Sequence, residues 1–288
     1  MMKNFRSDAL LDFLHRSVRR RFHSLGFQSR YLQSDIGRIH YLVGGNPAQQ
    51  TTLVLIHGIG TSSSTWLKTV PRLREHFRII AMDLPGFGFS TVEGSRRFCL
   101  LQEHVAAVTE VLDTAAPGRF ALLGHSFGGW IAAKYASEHQ DRVDHLILVN
   151  TAGVYYRGVE KLRDLFTPRS VQDTRNLLSK LWFRYPWYFK PFAGAIYREL
   201  CRRGMSEVIN SIDADSFLVE ELTRLRMPVS IIWGKEDGVI SQETISVLAK
   251  FVPQAAVEFI DRCGHVPQLE RPDRFVDALE KLLDGGKR

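Results

Sequence analysis

Gly124-His125-Ser126-Phe127-Gly128-Gly129 is the segment of this 288-residue chain best equipped to do chemistry. It follows the apolar run Phe120–Leu123 and precedes a helical pattern starting near Gly129. G-x-S-x-G at a strand-to-helix turn places a hydroxyl on a strained corner, and flanking glycines let strand and helix approach each other. A serine so placed becomes a nucleophile once a base takes its proton, and the base needs a carboxylate to orient it. Both partners are expected after the serine, at the ends of later strands, acid first and histidine second. Gly234-Lys235-Glu236-Asp237-Gly238 follows the run Val229–Trp233 and supplies the acid. Asp237 lies deeper in that turn, with Glu236 as its competitor. Arg262-Cys263-Gly264-His265 follows Val257–Asp261 and presents an imidazole on a glycine-assisted loop. The catalytic expectation is therefore Ser126, Asp237 and His265. Cys263 has no such turn of its own and reads as a small buried side chain.

A tetrahedral intermediate needs two preorganised N–H donors. Phe127, directly after the serine, is the first candidate. The second is Ile59, in the loop His57-Gly58-Ile59-Gly60 after the run Thr52–Ile56. His57 reads as a hydrogen-bonding member of that loop. The turn Asp83-Leu84-Pro85-Gly86-Phe87-Gly88-Phe89-Ser90 reads as a tight connection beside the mouth of the site.

These loops need a frame. Short apolar, β-branched runs at 52–56, 78–82, 120–123, 146–149, 229–233 and 257–261 alternate with helical patterns at 102–112, 130–138, 242–251 and 272–283. Continuous apolar strands separated by amphipathic helices imply a parallel sheet covered on both faces. Arg30–Gln33 and Arg38–Val43 flank Ser34-Asp35-Ile36-Gly37 and read as a hairpin. The alternation stops between Val154 and Arg226, which is helical in pattern and carries seven aromatics in the eleven residues from Trp182 to Phe192. That stretch reads as a helical lid (154–226) inserted into one core (30–153 and 227–288), preceded by an arm at 1–29.

In this order the motifs resemble the α/β-hydrolase family, from about residue 30 to the C-terminus. The resemblance implies a mostly parallel sheet of eight strands with the second antiparallel, and the lid inserted after the sixth. Ile231-Ile232-Trp233-Gly234-Lys235 and Glu270-Arg271-Pro272 look most like its monoacylglycerol-lipase and carboxylesterase branch. Ser126 stands where haloalkane dehalogenases and epoxide hydrolases carry aspartate. Phe127 stands where proline iminopeptidases usually carry tryptophan. The implied activity is hydrolysis of carboxylic esters, with an apolar acyl chain as in monoacylglycerols, through an acyl-enzyme and without metal or organic cofactor. Two readings stand beside it. One is carbon–carbon hydrolysis of meta-ring-fission products, although Val266 replaces the tryptophan usual after the histidine there. The other is a non-catalytic protein that keeps the fold for ligand capture. The lid aromatics pack as lid core, line an acyl pocket, or do both; Trp182, Phe183, Trp187 and Phe189 are the candidate lining residues.

The charge of +7 is unevenly placed. Residues 1–30 hold seven basic and two acidic side chains, and 154–226 hold thirteen and nine, while the remainder has a net charge of −2. A nucleic-acid reader would be expected to carry a basic face in its main fold, so nucleic acid is not expected as a partner. Leu10, Leu11, Leu14, Val18, Phe22 and Leu25 recur at helical spacing among Arg16, Arg19, Arg20 and Arg21. A basic amphipathic helix of this kind lies in a membrane interface, docks on the domain with its charges in water, or serves as an organellar presequence. Three scattered cysteines without a CxxC fit a reducing, cytoplasmic compartment, with peripheral contact at a membrane surface as the arm's alternative. No run of 18 apolar residues is present, so no membrane span is expected.

Overall fold

Residues 16–49 and 51–285 are described by a computed structural model. Their sheet has eight strands: β1 (Gln28–Gln33), β2 (Arg38–Gly45), β3 (Thr52–Ile56), β4 (Arg78–Met82), β5 (Phe120–His125), β6 (Val143–Val149), β7 (Val229–Gly234) and β8 (Ala256–Ile260). They lie in the order β1-β2-β4-β3-β5-β6-β7-β8. β2 pairs antiparallel with both β1 and β4, and every other pairing is parallel. The chain thus has the α/β-hydrolase sheet, with its second strand reversed.

Alternation along single strands shows why both faces need cover. In β3, Val54 and Ile56 enter one apolar cluster while Leu53 and Leu55 enter another; Leu146 and Leu148 of β6 separate from Ile147 and Val149 in the same way. The first face is covered by α3 (Leu101–Ala115), α4 (Phe127–Glu138) and α10 (Glu243–Phe251). The second is covered by α2 (Val70–His76), α12 (Pro272–Gly285) and α1, the helix at residues 16–24. Parallel strands expose both faces of the pleat, and only apolar residues on both sides satisfy two helical layers.

Helix α1 bears on the arm expected at 1–29. Phe22 is fully buried, with Val18 and Leu25 packed around its cluster, while Arg16, Arg20 and Arg21 face outward. This part docks on the core. Leu10, Leu11 and Leu14 lie outside the described residues.

Between β6 and β7 run α5 (Lys161–Phe166), α6 (Val171–Lys180), α7 (Ala193–Arg202), α8 (Met205–Asn210) and α9 (Glu220–Arg224), with a 3-10 turn at Trp187–Phe192. The short helix α11 (Pro267–Glu270) follows the histidine loop. Several sequence-read boundaries move by one to three residues, and two of these shifts meet at the serine. β5 continues to His125 and α4 begins at Phe127 rather than near Gly129, so strand and helix meet with Ser126 alone between them. No helix among the described residues is long and apolar enough to cross a membrane.

Candidate active site

Ser126 sits at φ 54°, ψ −118°, a region sparsely used by residues with a side chain. Its surroundings hold it there: its N–H donates to Val149 O at 2.9 Å, and its carbonyl accepts from Gly129, Trp130 and Ala152 N–H. A Cβ at Gly124 would stand 2.3 Å from Gly128 O, and one at Gly128 would stand 2.5 Å from Ile56 O. Backbone blocks both positions, so the approach of β5, α4 and β3 requires glycine.

The structure brings Ser126, His265 and Asp237 into one hydrogen-bonded chain. His265 Nδ1 is 2.8 Å from Asp237 Oδ2, and His265 Nε2 is 2.9 Å from Ser126 Oγ. A carboxylate only accepts, so Nδ1 carries the proton; Nε2 of the neutral ring then accepts from the Ser126 hydroxyl. The Asp237 and His265 side chains are 0% and 2% exposed. Asp237 is held on four sides. Oδ2 also accepts from Asn150 Nδ2 at 2.7 Å, and Oδ1 accepts from Val239 and Ile240 N–H at 2.8 and 3.0 Å. Glu236, the competing acid, turns elsewhere: its carboxylate accepts from Cys263 N–H at 2.8 Å and so steadies the histidine loop. Burial, with Glu270 nearby, pushes the Cys263 thiol far up, which keeps it protonated and inert.

Three supporting residues have roles that the sequence did not assign. Asn150 directly follows β6 at φ 42° and bridges two strand ends, donating to Asp237 and accepting from Gly234 N–H at 3.2 Å. Its signal was an asparagine directly after an apolar strand, a residue that tolerates the left-handed region. Glu270 accepts from Gly264 N–H at 2.8 Å, Phe183 N–H at 3.1 Å and Arg184 N–H at 3.0 Å, so one carboxylate ties the lid to the histidine loop. His265 N–H adds a further tie by donating to Leu181 O. His125 Nε2–H donates to His265 O at 2.7 Å, and burial with His265 nearby pushes its imidazole down to about 3, so it stays neutral.

Ile59 and Phe127 both line the cavity that opens on Ser126. A Cβ on Gly58 would lie 3.1 Å from Ser126 Cβ, so the Ile59 loop runs against the serine. Phe127 is the first residue of α4, where backbone N–H groups lack intrahelical partners. His57 Nδ1–H donates to Gly58 O at 2.8 Å, and its Nε2 accepts from Leu84 N–H at 2.9 Å. It stitches this loop to the turn after β4, and burial lowers its pKa. That turn is anchored by Asp83, which accepts from His40 Nδ1–H, Ser63 N–H and Phe89 N–H at 2.7–2.9 Å.

The cavity has a volume of about 450 Å³, with walls that are mainly apolar. Trp130, Val154, Phe166, Ile209 and Phe217 are among the apolar lining residues, and Glu160, Arg163 and Asp213 add polar groups. Trp182, Phe183, Trp187 and Phe189, the candidate acyl-pocket residues, lie outside it. The Trp182 ring packs on Phe189 at 5.9 Å, Tyr188 packs on both Phe189 and Trp187, the Phe183 ring lies under the Arg184 guanidinium, and Trp187 is 76% exposed. The backbone of 181–184 faces the histidine loop through Leu181 O and Glu270, with the Phe183 side chain left exposed.

Residues 53–278 match the Alpha/beta hydrolase family. The chain is 26% identical to the monoacylglycerol lipase ABHD6 of Homo sapiens, over 90% of this chain and 83% of that protein. It is 27% identical to the 2-hydroxy-6-oxo-2,4-heptadienoate hydrolase of Pseudomonas putida, over 85% and 91%. Among solved structures it superposes on a membrane phospholipase A described as a bacterial virulence factor. The TM-score is 0.85 at 27% identity, with 99% of this chain and 94% of that one covered.

Proposed function

Because the chain belongs to the alpha/beta hydrolase family, we propose that it is a serine hydrolase of carboxylic esters with apolar acyl chains, monoacylglycerols among them. The observation that carries this reading is the unbroken chain Ser126–His265–Asp237 opening directly into a mainly apolar cavity. The relatives named as a monoacylglycerol lipase and a phospholipase support it.

Ser126 Oγ attacks the ester carbonyl as His265 Nε2 takes its proton. Asp237 stays ionised, holds the ring in the required tautomer and stabilises the imidazolium. The oxyanion rests on the Ile59 and Phe127 N–H groups, the two backbone donors of the cavity lining assigned to the developing charge. His265 then protonates the leaving alkoxide and the alcohol departs. Water, giving its proton to His265, attacks the acyl-enzyme and frees Ser126. The acyl chain lies against Trp130, Phe166 and Phe217. The polar groups of Glu160, Arg163 and Asp213 are suited to the hydroxyls of a glycerol.

The test is kcat/KM across p-nitrophenyl esters from acetyl to palmitoyl. Turnover is expected to favour medium or long chains. Phe217→Ala should lower long-chain kcat/KM by about tenfold through lost apolar contact, whereas Trp182→Ala leaves the chain-length ratio unchanged. Equal turnover at all lengths, or preferential cleavage of a dienoic ring-fission product, would overturn the proposal.

A further inference from the structure

Away from the catalytic cavity lies a second hollow, of about 470 Å³, walled by five arginines. Arg16 comes from α1, Arg96 and Arg97 from the connection between β4 and α3, and Arg202 and Arg203 from the corner between α7 and α8. Segments far apart in sequence thus bring arginines to one concavity, and no lysine among the described residues takes part in its lining.

The carboxylates that pair with these arginines do not neutralise them. Arg96 meets Glu103 at 2.7 Å, Arg97 meets Glu207 at 3.8 Å, and Glu199 is shared between Arg202 and Arg203. Among the described residues, five cations against three carboxylates leave two positive charges in excess. Arg203 forms the fixed part: its guanidinium donates to the carbonyls of Gly86 and Gly88 and is 12% exposed. Arg96, Arg97 and Arg202 are 49%, 67% and 67% exposed and can turn toward a ligand. Guanidinium is the side chain suited to planar, two-point recognition of phosphate oxygens.

The neighbours indicate where such a phosphate is found. Leu100, 43% exposed, stands three residues after Arg97. Trp187 and Tyr188 are exposed in the turn that leads into α7, and α7 places that turn about 15 Å from Arg202. Arg20 and Arg21 add exposed charge on α1. Arginines with an exposed leucine beside them, and exposed tryptophan and tyrosine at the far end of α7, are side chains suited to the headgroup layer of a bilayer. A nucleic acid would instead need a basic stripe across the main fold, whose net charge is −2 outside the first 30 residues and the lid.

We infer that this five-arginine hollow binds the phosphate of anionic phospholipid headgroups and seats the α7–α8 edge of the lid on the bilayer. Ile209 of α8 also lines the catalytic cavity, so the edge that holds the membrane bounds the cavity that takes the acyl chain. The inference builds on the ester-hydrolase reading for its purpose, and its test is separable from that reading.

The test is cosedimentation of the full chain with phosphatidylcholine vesicles that contain or lack phosphatidylglycerol, alongside turnover of soluble p-nitrophenyl butyrate. The wild type should partition onto the anionic vesicles alone. Arg97→Gln/Arg202→Gln should lower that partitioning about 30-fold, roughly fivefold for each basic side chain removed. The charge-reversed pair Arg97→Glu/Arg202→Glu should lower it further, while both variants turn over the soluble ester as the wild type does. Equal partitioning of wild type and Gln pair, or equal binding to neutral vesicles, would overturn the inference. So would release from vesicles by millimolar inorganic phosphate, which would mark a free-phosphate site, or by an oligonucleotide, which would mark a nucleic-acid site. Lost soluble-ester turnover in the wild type would count against the hydrolase reading instead.

Discussion

Asp237→Asn tests the electrostatic logic of the site most sharply, because all four partners of this carboxylate are donors. Oδ1 faces two backbone N–H groups, of Val239 and Ile240, and Oδ2 faces Asn150 Nδ2 and His265 Nδ1. An amide has one accepting end and one donating end. The backbone donors cannot reverse, so the amide oxygen must take the Oδ1 position and the NH2 must face Asn150 and His265. Asn150 is also committed, since its Oδ1 accepts from Gly234 N–H. The imidazole is left to adapt, by moving its proton to Nε2 and accepting at Nδ1. In that tautomer Nε2 no longer accepts from Ser126 Oγ, 2.9 Å away. The expected loss is about 10³–10⁴-fold in kcat, or about 4–5 kcal/mol on the barrier. Two lost hydrogen bonds add about 2 kcal/mol of destabilisation. Steady-state turnover of p-nitrophenyl butyrate, with a thermal melt to show folding, measures both. A folded variant that loses less than tenfold in kcat would refute the tautomer argument.

Glu270→Ala removes the shared acceptor of Gly264, Phe183 and Arg184. It should lower kcat about tenfold and stability by about 2–3 kcal/mol, read by turnover and urea unfolding; unchanged kcat would mean the histidine loop needs no tie to the lid. Burial alone would raise the Asp83 carboxyl, yet its hydrogen bond from His40 and the charges of His40 and His57 outweigh this and hold it at about 2. A folded value below the unfolded one adds stability above pH ~4 that is lost as pH falls toward ~2, about 2 kcal/mol in all. Asp83→Asn should therefore melt earlier at neutral pH and show a flatter melting curve between those limits; parallel curves would contradict the assignment. Gly128→Ala would set a Cβ 2.4 Å from His57 O, so this variant should fail to accumulate as folded protein, whereas near wild-type melting would show that the turn can give.

Much of this site is legible in the sequence because its parts are local. The turn around Ser126 follows from glycine spacing after an apolar strand, and the acid and imidazole loops follow from turn residues at two later strand ends. The remainder depends on which distant segments meet. Asn150 and Glu270 act on residues 87 positions away or across the lid, and no local pattern reports that. The aromatic run 182–192 shows the same limit from the other side. Its density predicts burial, but which side of a short segment faces inward was decided by the hold of Glu270 and Leu181 O on the histidine loop. The cavity wall falls instead to residues such as Trp130 of α4, Phe166 of α5 and Phe217 of the connection between α8 and α9.

The central claim is that Ser126 is the nucleophile of this chain. Incubation with a fluorophosphonate, followed by digestion and mass spectrometry, tests it directly. A single adduct on the peptide carrying Ser126 is predicted, absent from Ser126→Ala and slowed about a thousandfold or more in His265→Ala. An adduct on another residue, or labelling retained in Ser126→Ala, would contradict the account.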